Sequence, residues 1–68
     1  MKKYLITFGI GTKWSGNCVL ITASNEDTVR EYVYDKYGQD NVAMVYHYEN
    51  SKGIIKKYDY KILEDTVL

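Results

Sequence analysis

The sequence predicts an α+β domain in which one helix packs on a four-stranded, mainly antiparallel sheet. Two observations indicate this class. Residues 24–38 carry signals for both ends of a helix, and four other segments show the alternation or the β-branched apolar character of strands. The segments follow in the order β-β-α-β-β, without a repeat or a linker, so residues 1–68 are predicted to form a single domain.

Residues 2–10 and 17–23 are the first two predicted strands. Large apolar side chains recur with a period of two in the first strand. The second is almost continuously apolar, which is typical of a strand that is covered on both faces. Both strands are therefore expected to have well-covered faces.

The glycine-rich segment at residues 9–17 predicts the hairpin loop between these strands. Gly11 and Gly16 have the spacing of a phosphate-binding loop, but Asn17 and Cys18 stand where that motif needs Lys and Ser or Thr. A strand follows instead of a helix, so the segment lacks the helix N-terminus that would hold a phosphate. The pattern favours a turn over a nucleotide site.

The helix is predicted from a capping pair at its start and a glycine at its end. Ser24 can accept a hydrogen bond from the backbone N–H of Asp27, in the manner of a capping box. Gly38 supplies the left-handed residue that stops many helices. One face of the helix is expected to cover the sheet. Its residues have the spacing i, i+3, i+4, i+7 and i+8 and are Val29, Tyr32, Val33, Lys36 and Tyr37.

Residues 41–49 and 54–63 are the third and fourth predicted strands, joined by a hairpin loop that ends at Gly53. Apolar and charged residues alternate in the fourth, which predicts an edge strand with one solvated face. Residues 64–68 are expected to fray. A right-handed crossover through the helix leaves room for the first strand between the second and the third, which predicts the strand order 2-1-3-4 with antiparallel neighbours and one open face.

Charge and cysteine content narrow the class of protein. Nine basic and nine acidic residues cancel, so the net charge does not predict non-specific nucleic-acid binding. The single cysteine, Cys18, excludes an intramolecular disulfide and favours a cytoplasmic protein. No apolar run approaches the ~20 residues of a bilayer-spanning helix, so no membrane association is expected.

No catalytic, cofactor or metal site is predicted. A cysteine nucleophile would need a base beside it, and the single histidine, His47, lies on a different predicted strand from Cys18. His47 also lacks the further ligands that a metal site needs, because only Glu49 would share its strand face. The protein is therefore expected not to be an enzyme and to hold no cofactor.

The outer face of the predicted helix is the first candidate binding site. Asp27, Glu31 and Asp35 recur at i, i+4 and i+8, a like-charge stripe that mildly destabilises an isolated helix. Such a stripe is usually a solvated face, but it can also meet a basic surface on another protein. Tyr34 is predicted to be an exposed aromatic residue beside the stripe and completes this partner-binding site.

The tyrosines of the third and fourth predicted strands form an alternative site. It comprises Tyr46, Tyr48, Lys57, Tyr58 and Tyr60. On hairpin-linked strands these rings could stack against single-stranded nucleic-acid bases, with lysines near the backbone. Packing in the core or against a second copy is the favoured explanation, since so small a sheet has few other ways to bury area. A homodimer that uses this hairpin and the exposed edge of the fourth strand is accordingly expected.

The chain also resembles short uncharacterised proteins encoded in phages and prophages of Gram-positive bacteria. The resemblance lies in the opening Met1-Lys2-Lys3-Tyr4-Leu5-Ile6-Thr7-Phe8-Gly9, the glycine loop, the apolar second strand, the helix start Ser24-Asn25-Glu26-Asp27 and the stop Tyr37-Gly38. It implies a protein that binds and redirects a protein of the bacterial host, in the host cytoplasm, and inhibitors of host defence such as anti-CRISPR proteins are among this class. Many such inhibitors are strongly acidic, whereas the charge of this chain is balanced, so nucleic-acid mimicry is not expected.

Overall fold

The computed structural model describes residues 1–68 and confirms an α+β fold built on a four-stranded sheet. The strands are β1 (Lys2–Phe8), β2 (Asn17–Ala23), β3 (Val42–His47) and β4 (Lys61–Val67). The helices are α1 (Glu26–Tyr37), α2 (Tyr48–Ser51) and α3 (Gly53–Lys57), and a 3₁₀ turn lies at Gln39–Asn41. The element order is therefore β-β-α-β-α-α-β, and the two short helices between β3 and β4 were not predicted from the sequence pattern.

The sheet has the strand order β3-β1-β2-β4 and is mixed. β1 is the antiparallel neighbour of both β2 and β3, so that Tyr4 lies opposite Ile21 on one side and His47 on the other. This part of the predicted topology is confirmed, including the position of β1 between β2 and β3. The predicted order 2-1-3-4 is wrong in the placement of β4, and the sheet is accordingly mixed rather than mainly antiparallel as predicted.

β4 pairs in parallel with β2, at the opposite edge of the sheet from β3. The predicted β3-β4 hairpin is wrong, and so is the predicted strand at residues 54–63, where α3 occupies the first half. Residues 48–60 form a helical crossover instead, which is the kind of connection that carries a chain to a parallel strand. The expectation that residues 64–68 fray is also wrong, because most of them belong to β4 and the Leu68 amide donates to the Thr22 carbonyl at 2.8 Å.

α1 begins one residue later than the predicted cap. Asn25, not Ser24, is the N-cap, and its Oδ1 accepts hydrogen bonds from the Thr28 backbone N–H at 2.9 Å and from the Thr28 hydroxyl at 3.0 Å. Gly38 ends the helix as predicted, with φ at +91°, and its N–H donates to the Tyr34 carbonyl at 3.0 Å.

The sheet is covered on both faces, so the predicted open face is not found. One face packs against α1 in a cluster that includes the fully buried Val29 and Val33. On the other face the side chains of Leu5, Cys18 and Leu20 are buried beneath the α2-α3 crossover. Ile54 and Ile55 of the crossover pack on this second apolar face, a placement that a period-two pattern does not reveal.

Gly38 and Gly53 offer a matched pair of substitutions. Gly38→Ala should lower the free energy of unfolding by about 1–2 kcal/mol, because a left-handed φ disfavours any Cβ and the added atom would lie 3.1 Å from Asn41 Nδ2. Gly53→Ala should raise it by about 0.5–1 kcal/mol, because Gly53 is helical and nothing lies within 4 Å of the position that a Cβ would take there. Urea denaturation of both variants checks this, and equal effects would contradict the assigned backbone conformations.

Candidate functional site

The three carboxylates of the predicted site lie together on the outward side of α1. Asp27, Glu31 and Asp35 are all exposed, one helical turn apart, and opposite the buried side of the helix. We call these three residues the acidic helix face. None of them takes part in an intramolecular ion pair, whereas Glu26, Glu49, Glu64 and Asp65 all do.

Tyr34 lies at the border of the acidic helix face and is half-buried rather than exposed. Its ring packs against the main core, and its hydroxyl accepts a hydrogen bond from Arg30 Nη1 at 2.9 Å. Arg30 is in turn paired with Glu26, at 2.9 Å from Nε and from Nη2 to Oε2. The hydrogen bonds to Tyr34 and to Glu26 raise the pKa of Arg30. The contacts of Arg30 with Glu26 and Tyr34 neutralise the charge of Glu26 on one side of α1. The unpaired carboxylates of α1 are therefore those of the acidic helix face.

A shallow depression adjoins the acidic helix face and was not predicted. It has a volume of about 580 Å³ and is lined by Thr28, Glu31, Tyr32, Asp35 and Leu68. Thr28 and Asp35 are the i−3 and i+4 neighbours of Glu31, and Tyr32 is the i+4 neighbour of Thr28, so the helix periodicity contained a signal for them. Leu68 follows β4, and a pattern that places the fourth strand at residues 54–63 gives no signal for it.

A second feature missed in the sequence is a polar cluster around Glu64, whose side chain is only 12% exposed. Oε1 accepts hydrogen bonds from the Tyr32 hydroxyl at 2.7 Å and the Thr66 hydroxyl at 2.8 Å. Oε2 accepts from Lys36 Nζ at 2.7 Å and from the Tyr37 hydroxyl. The cluster links α1 to β4, and both carboxylate oxygens of Glu64 accept hydrogen bonds from side chains.

The cluster stabilises the ionised form of Glu64. Desolvation alone would raise the pKa of Glu64, but the hydrogen bonds, led by the one from Lys36, outweigh it and lower that pKa from 4.5 to about 2. The hydrogen bonds to Glu64 and then to Tyr32 raise the pKa of Lys36. Burial, followed by the hydrogen bond to Glu64, raises the pKa of Tyr37. The charges of Glu64 and Lys36 are thus fixed over the physiological range, as expected of a structural pair.

The tyrosines of the alternative site do not lie on an open sheet face. Tyr46, Tyr48 and Tyr60 are half-buried and pack over the small cluster beneath the α2-α3 crossover. Tyr58 is exposed, with its ring centroid 5.8 Å from that of Tyr60, and Lys57 Nζ lies 5.3 Å from the Tyr58 ring centroid. The structure therefore leaves one exposed ring of the four, beside a lysine.

Cys18 and His47 lie far apart in the sheet. Cys18 is buried on the face beneath the crossover, where desolvation raises the pKa of its thiol. His47 is exposed on β3, and its ring packs on Tyr4 with a centroid distance of 5.1 Å, on the α1 face of the sheet. No group of three or more His, Cys, Asp or Glu side chains is placed to hold a metal ion.

Comparisons of the chain with protein-family models, curated proteins and solved structures gave no match. None of the helices combines the length and the apolar character that a bilayer crossing requires. The acidic helix face and its adjoining depression are accordingly the candidate site, on the geometry of the chain itself.

Glu64 should make stability depend on acid pH. The fold lowers its pKa from 4.5 to about 2, so its contribution to the free energy of unfolding is complete above pH 4.5 and is lost as the pH falls toward 2. Glu64→Gln should lower that free energy at pH 7 by about 1–3 kcal/mol and weaken its pH dependence below 4.5. Denaturant titrations between pH 7 and roughly pH 2.5 measure both effects.

Glu49→Gln is the matched control, because Glu49 is 80% exposed and its Lys52 partner is 3.5 Å away. It should change the free energy of unfolding by less than about 0.5 kcal/mol. If Glu49→Gln and Glu64→Gln changed the free energy of unfolding equally, the cluster would not stabilise the contact between α1 and β4.

Proposed function

We propose that the protein is non-catalytic and acts by binding another protein through the acidic helix face, with Tyr34 at its border. The observation that carries this proposal is the contrast in charge pairing on α1. Arg30 and Lys36 are committed to Glu26 and Glu64, whereas the three outward carboxylates have no cation within 4 Å. They remain free to meet a basic surface on a partner.

The arrangement of these carboxylates favours association over isolated stability. Asp27, Glu31 and Asp35 repel one another at i, i+4 spacing, and each such like-charged pair costs a helix about 0.2–0.5 kcal/mol. A basic partner replaces that repulsion with attraction. Complementary charge of this kind also speeds the encounter and discourages wrong partners.

The depression beside Glu31 gives the proposal a more specific form. Its wall offers carboxylates from Glu31 and Asp35 together with the apolar surfaces of Tyr32 and Leu68. A lysine or arginine side chain matches this combination, because it carries an apolar stem and a charged end. We therefore expect a basic side chain of the partner to enter here, with its charge held between Glu31 and Asp35.

The resemblance to small phage and prophage proteins suggests which partner to seek. A protein of the bacterial host cell, met in the host cytoplasm, is the class it implies, and a component of a defence system is the more specific candidate. An anti-CRISPR role would be one instance of such inhibition. Single-stranded nucleic-acid binding is the weaker candidate, because three of the four tyrosines that it would use pack against the cluster of Leu5, Cys18 and Leu20.

Charge reversal at Glu31 tests the proposal. Glu31→Lys should leave the fold intact, with a free energy of unfolding equal to or slightly above that of the wild type, because it relieves repulsion from Asp27 and Asp35. It should weaken binding to a host protein that the wild type captures from bacterial lysate by on the order of tenfold or more, measured with the purified pair by calorimetry. The affinity of the wild type should fall with added salt.

Asp40→Lys is the matched control, since Asp40 is also exposed and lies outside α1, on the 3₁₀ turn. It should bind as the wild type does. Lysate treated with nuclease separates the two candidate functions. If capture were lost with nuclease and with Tyr58→Ala or Lys57→Ala, but not with Glu31→Lys, the protein would be a nucleic-acid binder and this proposal would be wrong.

A further inference from the structure

The two edges of the sheet differ sharply in charge. β4, at one edge, contains Lys61, Glu64 and Asp65. β3, at the other edge, is Val-Ala-Met-Val-Tyr-His and contains no formal charge and no proline. Natural proteins protect exposed edge strands with charges, prolines or a covering element, because the unpaired backbone groups of an edge are a template for another strand.

The exposed side chains of β3 do not protect its edge. Ala43 is exposed and Met44 is 51% exposed, so apolar surface accompanies the unpaired N–H and C=O groups along the strand. β3 pairs only with β1, through residues 42 and 44–47, and its single irregularity lies at the start of the strand opposite Phe8. The rest of β3 is regular and available for a second neighbour.

We propose that β3 pairs antiparallel with β3 of a second copy, which joins the two sheets into one of eight strands. A neutral strand can lie against its own copy in any register without bringing like charges together, whereas self-pairing of β4 centred on Glu64 or Asp65 would set acidic residues of the two copies side by side. The twofold axis is perpendicular to the sheet, so each copy satisfies the backbone groups of the other reciprocally. This edge replaces the β4 edge that the sequence pattern favoured.

The pleat restricts the register of this pairing. Val45 packs on the α1 side of the sheet and Tyr46 on the crossover side, and directly opposed residues of an antiparallel pair share a face. The axis must therefore pass through a pair of identical residues near the middle of the strand, either Met44 or Val45. In either register the two Met44 side chains lie on the same face, directly opposed at about 5 Å or one diagonal apart.

The dimer would place both α1 helices on the same side of the joined sheet. Each acidic helix face then points in the same direction, so one dimer offers two copies of the site to a partner assembly or surface. The pairing itself uses only β3 and does not depend on the proposed function. Glu31→Lys should accordingly remain dimeric, so failure of either proposal can be recognised separately.

Charge substitution at Met44 provides the test. Sedimentation equilibrium of the wild-type chain at micromolar concentrations should show a dimer. Met44→Lys and Met44→Glu, each alone, should weaken association by on the order of tenfold or more, because like charges meet across the axis. An equimolar mixture of the two variants should restore a dimer, since opposite charges then meet. Ile62→Lys, at a 45% exposed position on β4, is the matched control and should stay dimeric.

Amide exchange on the wild-type chain supplies a readout that does not need a folded variant. Amides of β3 that point away from β1 should exchange more slowly at high protein concentration than at low, while those of β4 should not change. A monomer at every concentration, slower exchange at β4 instead of β3, or equal association of the two Met44 variants and their mixture would each overturn the proposal.

Discussion

The central strands β1 and β2 are apolar on both faces, and the rest of the fold follows from the need to cover both. Only 15 of 68 residues are buried, so no covering element is dispensable. α1 covers one face over Val19 and Ile21, and the α2-α3 crossover covers the other over Leu5 and Leu20. Because that crossover traverses the sheet, it delivers β4 to the edge beside β2 and makes the sheet mixed.

The cluster at Glu64 connects this packing to the candidate site. Apolar contacts alone would let α1 rotate or slide on the sheet, whereas a carboxylate that accepts from Tyr32, Lys36 and Tyr37 fixes one flank of the helix to β4. With that flank held, the acidic helix face points to solvent. The charges that link the helix to β4, on Lys36 and Glu64, lie on the side of α1 toward the sheet. The unpaired charges of the acidic helix face lie on the side away from it.

The two surfaces proposed for binding are separate parts of one architecture. The acidic helix face belongs to the layer above the sheet, and the uncharged edge of β3 belongs to the sheet itself. The proposed pairing at the edge would leave the helix face free and would set two such faces on one side of the dimer. A chain too small to carry a deep cavity can in this way present an extended binding surface.

Features that depend on neighbouring residues could be predicted from the sequence. α1, its stop at Gly38 and the acidic stripe follow from spacings of a few residues, and β1 and β2 follow from their apolar runs. Residues 48–63 carry short apolar patterns that are compatible with either helix or strand. The choice depends on the sheet face around Leu5 and Cys18, which residues 48–60 cover in the structure. The Glu64 cluster joins residues as far as 32 positions apart, the half-burial of Tyr34 depends on the core beside it, and the exposed β3 edge depends on where β4 lies. These features depend on contacts between residues far apart in the chain, so patterns of neighbouring residues could not reveal them.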